Sequence, residues 1–126
     1  MKLRTKGNSL RFRVTRSEVA KLLASGQISE VIHFSPEDQP CLRYTLKHEE
    51  CRTLRVECAA LTVTVVIPSD EIRQWANSDQ VGIYRNLDIG RNGELEVLVE
   101  KDFGCLDLPE KDQEDMFPNP NAGIQC

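Results

Sequence analysis

Long apolar runs are missing from this sequence: no uncharged stretch approaches the roughly 18 residues a membrane-spanning helix needs, and the opening Met1-Lys2-Leu3-Arg4-Thr5-Lys6 has no apolar stretch behind its charges. Neither export nor membrane insertion is expected. Aromatic residues are scarce, at 6% with Trp75 the only tryptophan, so aliphatic side chains must supply most of the packing. Closely spaced cysteine pairs are lacking as well. Cys41, Cys51, Cys58, Cys105 and Cys126 are odd in number and scattered, which points to reduced thiols and a cytoplasmic setting. There is no phosphate-cradling glycine loop, no HExxH helix and no GxSxG turn, so no common enzyme signature is present and no cofactor is expected.

What is present fits one folded domain. The 126 residues are 40% hydrophobic and 29% charged, too apolar for a wholly disordered chain. The net charge of −4 conceals a separation. Lys2, Arg4, Lys6, Arg11, Arg13, Arg16 and Lys21 face only Glu18 near the start, whereas Asp107, Glu110, Asp112, Glu114 and Asp115 crowd the end. A single globular α+β domain is expected over residues 1–105, followed by an acidic tail over 106–126 that contains Pro and Asn and is loose or docked on the surface.

Alternation of Leu3 with its charged neighbours, then of Leu10, Phe12 and Val14 with Arg11 and Arg13, predicts a hairpin turning at Gly7-Asn8. That register sets Lys2 against Arg13 and Arg4 against Arg11 on the outer side, with Leu3 against Phe12 inside. Thr15-Arg16-Ser17-Glu18 has the spacing of a capping box, Val19, Leu22 and Leu23 form one apolar helical stripe, and Gly26 is placed to end the helix. Strands are expected over 28–34, 41–46, 54–58, 61–67, 81–87 and 94–103. A second helix should open at Pro68-Ser69-Asp70-Glu71 and carry Ile72, Trp75 and Ala76.

The order ββαββ thus occurs twice, and an offset of 53 residues carries Leu3, Leu10, Phe12 and Val14 onto Val56, Val63, Val65 and Ile67 without a gap. The same offset carries Leu42, Tyr44 and Leu46 onto Leu95, Val97 and Val99 but misaligns the third strand, placing Ile32 on Arg85. The expected fold is therefore a tandem ββαββ pseudo-repeat, about 3–46 and 56–99. Its two units should pack as one antiparallel, sheet-rich or barrel-like domain with two short helices.

The candidate site is the basic hairpin, Lys2, Arg4, Lys6, Arg11 and Arg13. Like charges opposed on a strand pair are destabilising unless something negative lies nearby. Glu94, Glu96 and Glu100 on a neighbouring strand, or the acidic tail, could supply that charge. Otherwise an anionic partner would, and nucleic-acid phosphate is one candidate. Phe12 and Tyr44 both fall on the inner face, which leaves base stacking poorly supplied, and an acidic pI near 5.2 argues against a dedicated nucleic-acid protein. Internal neutralisation is the favoured expectation for the charge itself; the partner is left unknown, open to a protein or a second copy, with nucleic acid not favoured. His48-Glu49-Glu50-Cys51 has zinc half-site spacing, but Cys41 and Cys58 stand alone, and no metal is expected. An enzymatic alternative would use Asp102 or Cys105, with His33 or His48 approaching the thiol. No catalytic residue is assigned.

Several segments resemble a family of small bacterial proteins of unknown function: Met1-Lys2-Leu3-Arg4-Thr5-Lys6-Gly7-Asn8-Ser9-Leu10-Arg11, Thr15-Arg16-Ser17-Glu18-Val19, Trp75-Ala76-Asn77, Glu100-Lys101-Asp102-Phe103-Gly104-Cys105-Leu106 and Phe117-Pro118-Asn119-Pro120. The resemblance implies a bacterial, stand-alone cytosolic protein, assigns no activity, and makes the tail part of the domain. The combined expectation is a non-enzymatic binding protein, with polyanion binding through the hairpin as the alternative.

Overall fold

The computed structural model describes residues 1–104 and 115–118. Eight strands and two helices follow the expected order: β1 Lys2–Arg4, β2 Ser9–Val14, α1 Arg16–Ser25, β3 Gln27–His33, β4 Cys41–Glu49, β5 Arg55–Ala59, β6 Thr62–Pro68, α2 Ser69–Ala76, β7 Gly82–Asp88 and β8 Glu94–Lys101. The strands form two open four-stranded sheets, sheet A in the order β1-β2-β8-β7 and sheet B in the order β3-β4-β6-β5. The expectation of one antiparallel or barrel-like sheet is corrected here. In each sheet the outer pairs are antiparallel hairpins, but the central pairs, β2 with β8 and β4 with β6, run parallel. A tight turn fixes a strand's partner in its own hairpin, whereas the neighbour on its other side is chosen by segments far away in the chain. In sheet A that choice joins residues near the start of the chain to residues near 96–101.

The chain divides into two compact units, Met1–Val19 with Val81–Cys126, and Ala20–Gln80. In the first, the row Leu3–Phe12–Val99–Ile83 crosses sheet A on its inner face, and Phe12, Val14, Val97, Val99 and Ile83 are buried. In the second, Ile28–Leu46–Val65–Val56 forms the matching row across sheet B. Each fully buried side chain of this size contributes about 1.5–3 kcal/mol. Sheet B also buries Thr45 and Val66, which alternate with Leu46 and Val65 and so lie on its other face. The outer face of sheet A buries none of its charged rows to that degree.

Local chemistry explains most element ends. Helix α1 begins where Thr15 N–H donates to Glu18 Oε1 at 2.9 Å, and stops at Gly26, which takes φ +87° and donates its N–H to Leu22 O. Helix α2 starts after Pro68, with Asp70 and Glu71 in its first turn, and buries Ile72 and Trp75 completely. The first hairpin turns at Gly7-Asn8 with φ +61° at Gly7, a conformation glycine takes at little cost. The β5–β6 hairpin makes its two-residue turn from Ala60 and Leu61, both at positive φ (49° and 62°). Such turns favour Asn-Gly, and the left-handed conformation costs an ordinary side chain about 1–2 kcal/mol. Replacing Ala60-Leu61 by Asn-Gly is therefore expected to raise the unfolding free energy by about 1 kcal/mol in urea titration. A loss of stability would show that exposed Leu61 contributes more than its turn costs.

Candidate functional site

Sheet A presents the basic hairpin on its outer face in the register the alternation predicts: Lys2 opposite Arg13 and Arg4 opposite Arg11. The parallel seam continues these rows. Arg4–Arg11 runs on to Leu98 and Tyr84, Lys2–Arg13 runs on to Glu100 and Gly82, and Ser9 runs on to Glu96 and Asn86. Cations thus occupy the β1–β2 half of the face, with carboxylates, Leu98 and Tyr84 on the β8–β7 half.

The protein's own carboxylates neutralise part of the ladder. Glu100 stands beside Arg13 in register but accepts a hydrogen bond from Arg11 Nε at 2.5 Å, and Asp102 Oδ2 lies 3.0 Å from Lys2 Nζ. Among the described residues Arg4, Lys6 and Arg13 have no ion-pair partner. Arg4, Lys6 and Arg11 line an open depression of about 320 Å³ together with Ser9, Glu96 and Leu98. Of the five predicted residues the structure therefore brings three to one depression. It ties Lys2 to Asp102 and leaves Arg13 outside.

Tyr84 escapes the sequence reading of this site. It lies on the outer face, 48% exposed, in the row of Arg4 and Arg11. Its hydroxyl donates to Glu100 Oε2 at 3.0 Å, so Glu100 holds Arg11 and Tyr84 at once. Gly82 makes room for this geometry, since a Cβ there would meet the Tyr84 hydroxyl at 2.7 Å and ring carbon Cζ at 2.8 Å. Burial, and then the hydrogen bond to Glu100, raises the Tyr84 pKa above the ordinary phenol value. Gly82→Ala should push the ring off Glu100 and lower the Tyr84 pKa toward that value in an ultraviolet pH titration. An unchanged titration would mean that the ring accommodates the methyl without leaving Glu100.

The tail meets the same unit at the start of α1. Asp115 accepts hydrogen bonds from Ser17 N–H (2.9 Å, to Oδ1) and from the Ser17 hydroxyl, while its carbonyl accepts Arg16 N–H at 2.8 Å. A residue 98 positions away thus helps cap the helix beside the Glu18 half of the capping box. Phe117 N–H donates to Asp102 O, Gly104 N–H donates to Phe117 O, and the Phe103 and Phe117 rings meet edge to face at 6.2 Å. Lys101 Nζ, on a buried residue, sits 5.4 Å from the Phe117 ring centroid.

Hydrogen bonds from the Ser17 hydroxyl, the Thr15 hydroxyl and Ser17 N–H hold the Asp115 carboxyl below the ordinary aspartate range. A depressed folded-state pKa gives stability that is present above the unfolded value and lost as pH falls through the folded one. Asp115→Ala should cost about 1 kcal/mol at pH 7, and the difference from wild type should shrink below about pH 4. Urea titration at both pH values measures it. A difference that persists in acid would assign the loss to packing.

The enzymatic alternative is only partly visible. Asp102 is buried, and its side chain is engaged with Lys2. Cys105 lies outside the described residues, as does the tail over 106–114 and 119–126. His48 Nδ1 is 2.8 Å from Ser69 Oγ at the first residue of α2. Cys41, Cys51 and Cys58 are free thiols, and among the described residues no three His, Cys, Asp or Glu side chains converge as a metal site would require. No helix among those residues is long and apolar enough to cross a membrane.

No curated protein and no solved structure matches this chain. One family model does, that of a family of unknown function, and it covers the basic hairpin, both sheets and the docked Asp115–Phe117 segment. Matched over residues 1–121, the chain belongs to that family, DUF7009.

Proposed function

We propose that this protein is a non-enzymatic binding protein of the bacterial cytoplasm that holds an anionic group on the outer face of sheet A, at Arg4, Lys6 and Arg11. The observation that carries the reading is the incomplete neutralisation of the hairpin. Glu100 and Asp102 engage Arg11 and Lys2, while Arg4 and Lys6 line an open depression without an ion-pair partner among the described residues. Opposed like charges cost a strand pair roughly what a favourable cross-strand pair supplies, about 0.2–1 kcal/mol, and an arriving anion relieves that cost.

We further propose that the chain is a duplicated ββαββ unit whose halves exchange hairpins, and that binding belongs to the copy that differs. Register supports this reading. Adding 53 to Lys2↔Arg13, Leu3↔Phe12 and Ser9↔Glu96, or subtracting it where the number falls in the second half, reproduces Arg55↔Val66, Val56↔Val65 and Thr62↔Arg43. The third strands correspond at 55: Ile28↔Leu46 matches Ile83↔Val99, which removes the misalignment of Ile32. Cross-strand nuclear Overhauser contacts that place Ser9 and Thr62 in different registers with their parallel neighbours would contradict the duplication.

Titrating the protein with inorganic phosphate at low ionic strength, while following backbone amides by NMR, tests the anion site. Shifts confined to residues 4–11 and their β8 neighbours are expected. They should weaken with added salt and vanish in Arg4→Ala/Lys6→Ala. Without ligand that variant should be more stable than wild type by a few tenths of a kcal/mol, because Arg4 no longer opposes Arg11. Absence of any shift at about 20 mM phosphate, enough to saturate a millimolar site, would overturn the proposal.

A further inference from the structure

The depression beside Arg4, Lys6 and Arg11 does not end at the hairpin. A second one of about 280 Å³, lined by Tyr84, Arg85 and Asn86 on β7, adjoins it, and Glu96 and Leu98 line both. The two lie side by side on either side of Glu96 and Leu98, and between them their linings draw on all four strands of sheet A. Three interstrand steps of about 4.8 Å make the pair roughly 14 Å wide, room for a phosphate, a sugar and a ring laid in sequence. Its ends differ in chemistry. The β1–β2 end offers guanidinium and ammonium groups, which suit phosphate oxygens. The β7 end offers an exposed aromatic ring whose hydroxyl is anchored to Glu100, with Leu98 beside it in register. In the row next to Tyr84 and Leu98, Asn86 on β7 and Glu96 on β8 stand opposite one another and present an amide and a carboxylate acceptor, which are suited to the amino and ring-nitrogen edge of a base.

From this arrangement we infer that the anion held on sheet A is the phosphate of a nucleoside phosphate, with its base lying against Tyr84 and Leu98. The inference rests on the anion site proposed above and adds the ligand's other end. Charge complementarity favours a single nucleotide over a long strand. Glu94, Glu96 and Asp88 occupy the same face as the cations, and successive phosphates crossing toward β7 would meet them.

Equilibrium titrations of the full chain with adenosine monophosphate and with ribose 5-phosphate, at one low ionic strength, separate the two ends. Adenosine monophosphate should bind about tenfold more tightly, the size of one base–aromatic stack. Tyr84→Ala should remove that preference and leave ribose 5-phosphate binding intact. Tyr84→Phe, which keeps the ring and loses the bond to Glu100, should retain it. Equal affinity for the two ligands, or a preference that survives Tyr84→Ala, would overturn the inference while leaving the phosphate site standing. Failure of both ligands to bind would remove the phosphate site and the inference with it. An oligothymidylate whose affinity rises with length and falls steeply with salt would replace the nucleotide with a nucleic-acid strand and overturn the inference.

Discussion

The parallel pairing of β2 with β8 decides where every charged side chain on sheet A ends up. It sets Arg11 beside Leu98 and Arg13 beside Glu100, and it brings Glu100 within reach of Arg11 and Tyr84 together. A shift of one residue would turn Glu96, Leu98 and Glu100 to the core side and carry Val97 and Val99 outward. Both valines are fully buried, so the hydrophobic row that fixes this register also fixes the polar face behind it. The hairpin alone would be a column of opposed cations; the seam makes it one half of a face with two signs of charge.

Sheet B shows what the same framework looks like without such a face. The positions 53 residues after Arg4, Arg11 and Arg13 hold Glu57, Thr64 and Val66, and Val66 is buried. Where Lys2 pairs with Asp102, Arg55 is held between Glu49 and Glu57, whose hydrogen bonds raise its pKa above the ordinary guanidinium value. The one cation on β5 is thus held by nearby carboxylates, whereas the β1–β2 hairpin, its turn included, leaves Arg4, Lys6 and Arg13 without an ion-pair partner among the described residues. The apolar rows are shared between the sheets, and the charged rows are not.

Much of this was legible in the sequence because alternation and turn chemistry are local. The opposition of Lys2 to Arg13 and Arg4 to Arg11 follows from Gly7-Asn8 and a period of two, and the helix starts follow from Thr15–Glu18 and Pro68. Alternation says which face a residue takes but not which strand lies beside it. The parallel seams, and with them the open sheets, were therefore out of reach. Tyr84 is out of reach for the same reason: its place in the row of Arg11, with Leu98 between them, depends on β7 and β2 flanking β8 from opposite sides. Asp115 was read as part of an acidic run, and nothing in a run of like charges marks the one member that caps a helix 98 residues earlier.

A binding site at Arg4, Lys6 and Arg11 and a merely charged surface would respond differently to an anion. Side-chain Nε resonances of the arginines, followed during addition of pyrophosphate, separate these directly. The account predicts that Arg4 and Arg11 respond together and saturate, while Arg13 and Arg16, outside the depression, barely move. Equal, unsaturated responses from all four would show that the hairpin attracts anions without binding one, and would contradict the account.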